Sequence, residues 1–161
     1  MKAFHCDHCG GLVFFDNVQC VRCGRVLGFL PDTGALGALE LEAGGNWLVP
    51  VSAANEARYR HCENWRQFNI CNWVVPVEDS NPFCMACRLN ELIPNLSVPG
   101  NLERWHKIEK AKRRIVYTLI RLGLPMDGVP EENRPALRFR FLAGDNHAPR
   151  PLTGHSQGAI T

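Results

Sequence analysis

Two short runs near the start of the chain, Cys6-Asp7-His8-Cys9-Gly10 and Cys20-Val21-Arg22-Cys23-Gly24, constrain its fold more than any other feature, with ten residues separating Cys9 from Cys20. Each Cys-x-x-Cys bends the backbone until both sulfurs face one point. The glycine that follows can take positive φ without a Cβ clash, which leaves backbone amides aimed at the thiolates. Four sulfurs so placed make a tetrahedral metal site, and the expected product is a rubredoxin-like zinc ribbon over residues 1–30. A ribbon this small has too little core to fold unaided, so metal binding supplies folding energy.

Cys62, Cys71, Cys84 and Cys87 remain, the last two spaced as Cys-Met-Ala-Cys. Eight cysteines could form a disulfide framework, but that needs a secreted chain. The start, Met1-Lys2-Ala3-Phe4-His5-Cys6, carries no apolar run fit for a signal peptide. No stretch approaches the roughly 18 apolar residues of a membrane span. The reading is a cytoplasmic chain away from membranes, its reduced thiols holding two zinc ions through Cys6, Cys9, Cys20 and Cys23 and through Cys62, Cys71, Cys84 and Cys87. Iron is the alternative occupant of the first site, because four thiolates alone do not separate it from zinc. His5 and His8 read as exposed neighbours, with a three-cysteine, one-histidine site as the lesser option. For the second set, the competing account is small buried hydrophobes and a fortuitous Cys84–Cys87 pair. Tyr59, Cys62 and Trp65 recur at three-residue steps, so residues 55–68 are expected as a helix in which Cys62, rather than His61, faces the metal.

At 161 residues and 45% hydrophobic content, the chain can bury a core for one modest domain plus a metal-stapled module. The formal charge of +2 falls to −2 if each four-thiolate site holds a divalent ion. Residues 1–100 carry seven basic and ten acidic side chains, against eleven and six in 101–161. The basic C-terminal third can therefore dock on the acidic remainder.

Pro31-Asp32-Thr33-Gly34 reads as a turn, Ala38-Leu39-Glu40-Leu41-Glu42 as a strand, and Trp47-Leu48-Val49-Pro50-Val51 as its partner across Ala43-Gly44-Gly45. Ser80-Asn81-Pro82 turns the chain before the Cys84 knuckle. Residues 92–100 read as irregular. The clearest element is a helix from Leu102 to Leu122, where Leu102, Trp105, Ile108, Ala111, Ile115, Leu119 and Leu122 recur at three and four, with Asn101 as N-cap and Gly123 then Pro125 as its stop. Glu103 with Lys107 and Glu109 with Arg113 are acid-first pairs at four-residue spacing. Lys107, Lys110, Lys112, Arg113 and Arg114 make a basic face, read first as solvated and second as a phosphate-binding surface. Trp47, Trp65, Trp73 and Trp105 read as core and metal-site packing. Residues 137–141 alternate as a half-buried strand, a Gly/Asn/Pro-rich loop follows at 144–151, and the last four residues read as a strand just beginning.

The opening Cys-Asp-His-Cys-Gly-Gly-Leu-Val-Phe-Phe, the Cys20 to Gly24 knuckle with Leu27-Gly28-Phe29-Leu30-Pro31, the triplet Cys71-Asn72-Trp73 and Phe83-Cys84-Met85-Ala86-Cys87-Arg88-Leu89-Asn90 together resemble bacterial zinc-binding metallopeptidases that begin with a zinc ribbon. The resemblance runs on through Glu109-Lys110-Ala111-Lys112-Arg113-Arg114 and Leu122-Gly123-Leu124-Pro125 to Leu152-Thr153-Gly154-His155. In that family a helix carries His-Glu-x-x-His, two histidines on zinc and a glutamate as general base. None of the six histidines here is followed by glutamate. The resemblance therefore implies the N-terminal part of such a protein, with the catalytic helix lying beyond Thr161 or lost.

The expected architecture is α+β: a ribbon at 1–30, a hairpin, helix and second four-cysteine region at 31–100, and at 101–161 a basic helix and strand that begin a zincin-like domain. The expected role is a zinc-binding, non-catalytic region that shapes or presents a peptidase domain beyond residue 161 or a protein partner. The alternative is a nucleic-acid-binding zinc module on the basic helix with Arg138, Arg140 and Arg150. Hydrolysis by the fragment itself would need a loop-built site from His106, His147 and His155, which lack helical spacing.

Overall fold

The computed structural model describes residues 3–45, 47–49, 57–128, 135–143 and 152–161, with two compact units, Met1–Met85 and Ala86–Thr161, whose boundary falls inside the Cys84 to Cys87 knuckle. Asn55, Pro50, Val51, His147, Arg150 and the 144–151 loop lie outside the described residues.

In the first unit β1 (Ala3–His5) and β2 (Leu12–Phe14) form an antiparallel pair flanking the first knuckle. A five-stranded antiparallel sheet follows, in the order β3 (Val26–Leu30), β4 (Ala35–Leu41), β5 (Trp47–Val49), β6 (Ala57–His61), β7 (Val74–Pro76). The expected turn joins β3 to β4, with Gly34 at φ +64 and its N–H bonded to Leu30 O at 2.8 Å. The sheet curls until its edges meet. Phe29 of β3 bridges Trp73 in parallel, and the Phe29 N–H donates to Asn72 O at 2.8 Å. Leu30, Leu39, Tyr59 and Val74 pack inside, with Val26, Trp47 and Ala57 against them. Outside that cluster Phe29 and Trp73 meet at a tilt of 38° with 4.4 Å between ring centroids, and Phe15 meets both edge-on.

The helix expected over 55–68 is not what forms. Residues 57–61 are β6, hydrogen-bonded to β5 and β7, and only Glu63–Phe68 is helical (α1). Ala57-Arg58-Tyr59-Arg60-His61 alternates as a strand does, and two pairing partners override the three-residue recurrence.

In the second unit α2 (Asn101–Arg121) accompanies a four-stranded sheet in the order β10 (His155–Ser156), β11 (Ala159–Ile160), β9 (Arg138–Arg140), β8 (Asn90–Leu92). The β8–β9 and β9–β11 pairings are parallel. Gly100, at φ +83, occupies the cap position expected of Asn101, which is the first helical residue. The buried face of α2 is Trp105, Glu109, Lys112, Arg113 and Val116, whereas Leu102, Ile108, Ile115 and Leu122 of the expected apolar stripe are 40%, 43%, 49% and 65% exposed.

Candidate metal centres

The two N-terminal knuckles share one hydrogen-bond scheme. The Cys6 N–H donates to Gly11 O and the Gly10 N–H to Cys6 O, both at 2.8 Å; the Cys20 N–H donates to Arg25 O at 2.9 Å and the Gly24 N–H to Cys20 O at 2.8 Å. Each turn closes on a left-handed glycine, φ +69 at Gly10 and +74 at Gly24. Arg22 ties the knuckles by donating to Cys9 O at 3.1 Å, and the Asp7 carboxylate fixes the first to β4 by accepting the Ala38 N–H at 2.8 Å. The Sγ atoms of Cys6 and Cys23 stand 3.8 Å apart, those of Cys9 and Cys20 3.6 Å. A tetrahedron with zinc–sulfur bonds of about 2.3 Å has edges of about 3.8 Å, so the thiols stand where zinc needs them.

The electrostatics agree with that donor set. The Cys23 amide, acting against desolvation and helped by the Arg22 amide, brings the Cys20 thiol down to about 6. At Cys9 the Gly11 amide also lowers the pKa, but desolvation and the neighbouring thiols, Cys20 first, outweigh it and push it up to about 12. Thiols this close cannot all ionise without a cation among them, and a divalent ion removes the conflict. His5 and His8 are exposed and stand outside the group, which is all cysteine.

The second group gathers Cys62, Cys71, Cys84 and Cys87, all buried, with one Sγ from each within 4.8 Å of the others. Cys62 sits at the corner between β6 and α1, extended at φ −54 and ψ 140, and its carbonyl takes the Trp65 N–H at 2.8 Å. The Cys84 N–H points at Cys62 Sγ and the Trp73 N–H at Cys71 Sγ, each at 3.4 Å, and Cys71 and Cys84 sulfurs are 3.7 Å apart. The Glu63 N–H donates to Pro82 O at 3.0 Å, which holds the turn before the knuckle against the start of α1. The strand-to-helix corner, not a helix face, is what presents Cys62 and sends His61 elsewhere.

Sequence reasoning missed what backs Cys87. In the second unit its Sγ lies 3.9 Å from Glu109 Oε2, and Glu109 is fully buried. Glu109 Oε1 accepts Asn90 Nδ2 at 2.7 Å, Trp105 Nε1 at 3.1 Å and Lys112 Nζ at 3.0 Å, with Lys112 2.9 Å from the other oxygen. Burial raises the Glu109 carboxyl, Lys112 opposes this, and the Cys87 thiol adds to it. Lys112 is therefore a buried counter-ion rather than part of a solvated basic face; Arg113 is buried with it. The sequence signal was an acid-first spacing read as Glu109 with Arg113, which looks the same on an exposed helix, and the structure pairs Glu109 with Lys112, three residues on.

The histidines of the hydrolytic alternative do not assemble among the described residues. His106 and His155 are exposed, neither joins a metal-capable cluster, and His147 is not described. No helix among the described residues is long and apolar enough to cross a membrane.

Comparison with known proteins places this geometry. A family model for a zinc-ribbon domain matches residues 3–98, and one described as "Putative zinc-binding metallo-peptidase" matches residues 101–161. Uncharacterized proteins of Mycobacterium bovis and of two Mycobacterium tuberculosis strains are each 32% identical over 161 residues, covering 100% of this chain and 42% of the relative. The chain thus spans less than half the length of these curated relatives. No solved structure matches.

Proposed function

We propose, from the premise that this chain belongs to the zinc-ribbon family through residues 3–98 and continues at 101–161 into the zinc-binding metallopeptidase family, that it is a non-catalytic zinc-binding region serving a peptidase domain. Cys6, Cys9, Cys20 and Cys23 hold one zinc ion, and Cys62, Cys71, Cys84 and Cys87 a second. The observation that carries this reading is the donor set of each group: four thiols at tetrahedral separations leave no coordination position for water or a substrate carbonyl. Such ions are structural, and bound zinc would supply tetrahedral cross-linking and no Lewis-acid chemistry at an open site. The exposed apolar stripe of α2 fits the same role, since Ile108, Ile115 and Leu122, each seven residues from the next, share one face that offers a docking surface for the part of the protein that the longer relatives carry.

The phosphate-binding alternative draws less support. Two of its basic residues, Lys112 and Arg113, are buried and cannot reach a phosphate backbone without unfolding the face that holds Glu109.

Native mass spectrometry of the purified chain should show two zinc ions per molecule, and the zinc-loaded chain should leave peptide substrates intact. The visible absorption of an iron tetrathiolate would replace zinc at the first site. Zinc-dependent peptide cleavage by this chain, lost on mutation of either cysteine set, would overturn the non-catalytic reading.

A further inference from the structure

The first unit holds a cleft of about 390 Å³ lined by Trp47, His61, Trp65 and Pro82 and by three charged residues, Arg60, Glu63 and Arg66. Three elements build it. Trp47 of β5 pairs with Tyr59, which leaves His61 two residues along β6, and the corner at Cys62 returns the chain so that the first turn of α1 lays Trp65 over the imidazole. The Trp65 and His61 rings stack at 3.6 Å and 16°, while Trp47 meets His61 edge-on at 4.8 Å. The result is a rigid aromatic wall whose two indoles remain half-buried, although the same chain buries Trp73 and Trp105 almost completely.

The charge of the lining points to the occupant. His61, only 6% exposed and with no hydrogen-bond partner for either ring nitrogen among the described residues, serves the cleft as an aromatic surface between the two indoles. Among the described residues Arg60 donates to two backbone carbonyl oxygens, Asp79 O and Asn81 O, and two arginines against one glutamate leave the cleft lining net positive. Arg66, with a side chain 66% exposed, is held by Glu63 at 3.0 Å.

We propose that this cleft binds an extended, proline-bearing peptide segment with an acidic flank, the proline rings packing on Trp47 and Trp65 and the carboxylate lying toward Arg60 and Arg66. Aromatic-lined grooves suit polyproline II chains because the apolar rings cover the indoles and the free backbone carbonyls accept hydrogen bonds, and the chain is already extended, so little ordering is lost. Charge decides against a nucleic acid, which would stack bases on the same indoles. A nucleic acid presents a phosphate at every nucleotide, whereas the cleft lining holds two arginines, one of them paired with Glu63, a charge that suits a single carboxylate. The proposal goes beyond the structural role of zinc and names what the region would present; it depends on that role only in taking the zinc-loaded chain as folded.

The test is a titration of the zinc-loaded chain with an acetylated peptide of alternating proline and glutamate, followed by the indole Nε1 signals in NMR. Trp47 and Trp65 signals should shift while those of Trp73 and Trp105 stay in place. An alanine-for-proline peptide should bind at least about fivefold more weakly, and Arg66→Gln should weaken binding of the acidic peptide while leaving a glutamine-for-glutamate version unchanged. Trp65→Phe keeps a ring over His61 and should retain part of the affinity that Trp65→Ala loses. Absence of any indole shift up to millimolar peptide, equal shifts with the alanine peptide, or shifts with an oligothymidylate instead would each overturn the assignment. Zinc content measured on the same samples separates this from the structural reading. Two bound zinc ions with no peptide response sinks the cleft proposal alone, whereas missing zinc sinks the reading beneath it; should Trp65→Ala lose zinc, the shifts of the unmodified chain decide.

Discussion

Replacing Gly10 and Gly24 by alanine, singly and together, isolates the backbone contribution to the first metal site. Both residues close their knuckles in the left-handed region, at φ +69 and +74. A Cβ built on either meets nothing within 4 Å, so the substitution adds no steric clash and acts through conformation alone. The left-handed region costs an L-residue roughly 1–2 kcal/mol. Because the ribbon gains its fold from metal, that cost should surface as zinc affinity, about fivefold to thirtyfold weaker per substitution. Two glycines in separate knuckles should add, since each closes its own turn. A chelator titration followed by cadmium NMR, where each four-cysteine group gives its own resonance, reads both sites at once. The Cys6 group should release metal earlier and the Cys62 group at its original chelator concentration. Unchanged affinity at the first site would refute the claim that glycine conformation is what aims its sulfurs. Equal weakening of both sites would show that the strain is spread through the unit rather than held in the turn.

Gly28→Ala acts by the opposite mechanism: its Cβ would fall 2.5 Å from Val74 Cγ1 and 2.9 Å from Leu39 Cδ1, so overpacking of about 1–3 kcal/mol should lower the thermal midpoint of the first unit. Glu109→Gln leaves Lys112 charged and buried, with an expected loss of about 3–5 kcal/mol in chemical denaturation. Adding Lys112→Met should recover more than half of it, and a double variant no better than the single would contradict the buried-pair account. Ile115→Lys with Leu122→Lys should change stability in chemical denaturation by less than about 0.5 kcal/mol, because the side chains are 49% and 65% exposed. A large stability loss would place that stripe in a core instead.

The first cysteine group was legible because ligand spacing is local: four residues and a glycine determine where two sulfurs point, whereas Cys62 and Cys71 reach the second group only through the folded corner between β6 and α1. The Ala35–Leu41 strand, its turn and α2 were legible for the same reason, each carrying its own period and stop signals. The hairpin partner of β4 across Ala43-Gly44-Gly45 is found as β5; what failed were pairings that no tight turn announces. Ala57–His61 looked helical because Tyr59, Cys62 and Trp65 fall three apart, and only pairing to β5 and β7 reveals a strand. The parallel pairing of Asn90–Leu92 with Arg138–Arg140 joins residues nearly fifty positions apart and leaves no local trace. On α2 the period was right and the buried face was wrong. An apolar stripe ordinarily marks the core side, but here a carboxylate and a lysine satisfy each other inside, and composition cannot report a desolvated ion pair.

The hydrogen bonds of Asn72 bear on what can be inherited as a piece. Its carbonyl takes the Phe29 N–H at 2.8 Å and its side-chain amide reaches Phe15 O at 2.6 Å, so the residue after Cys71 is stitched to the strands that carry the first metal site. A gene fusion that cut after Leu30 would part β3 from β4 along five paired residues and leave the aromatic seam of Phe15, Phe29 and Trp73 open to water. The smallest segment that can move between proteins with the first metal site intact is thus the whole curled sheet together with the two N-terminal knuckles, well beyond the four cysteines themselves.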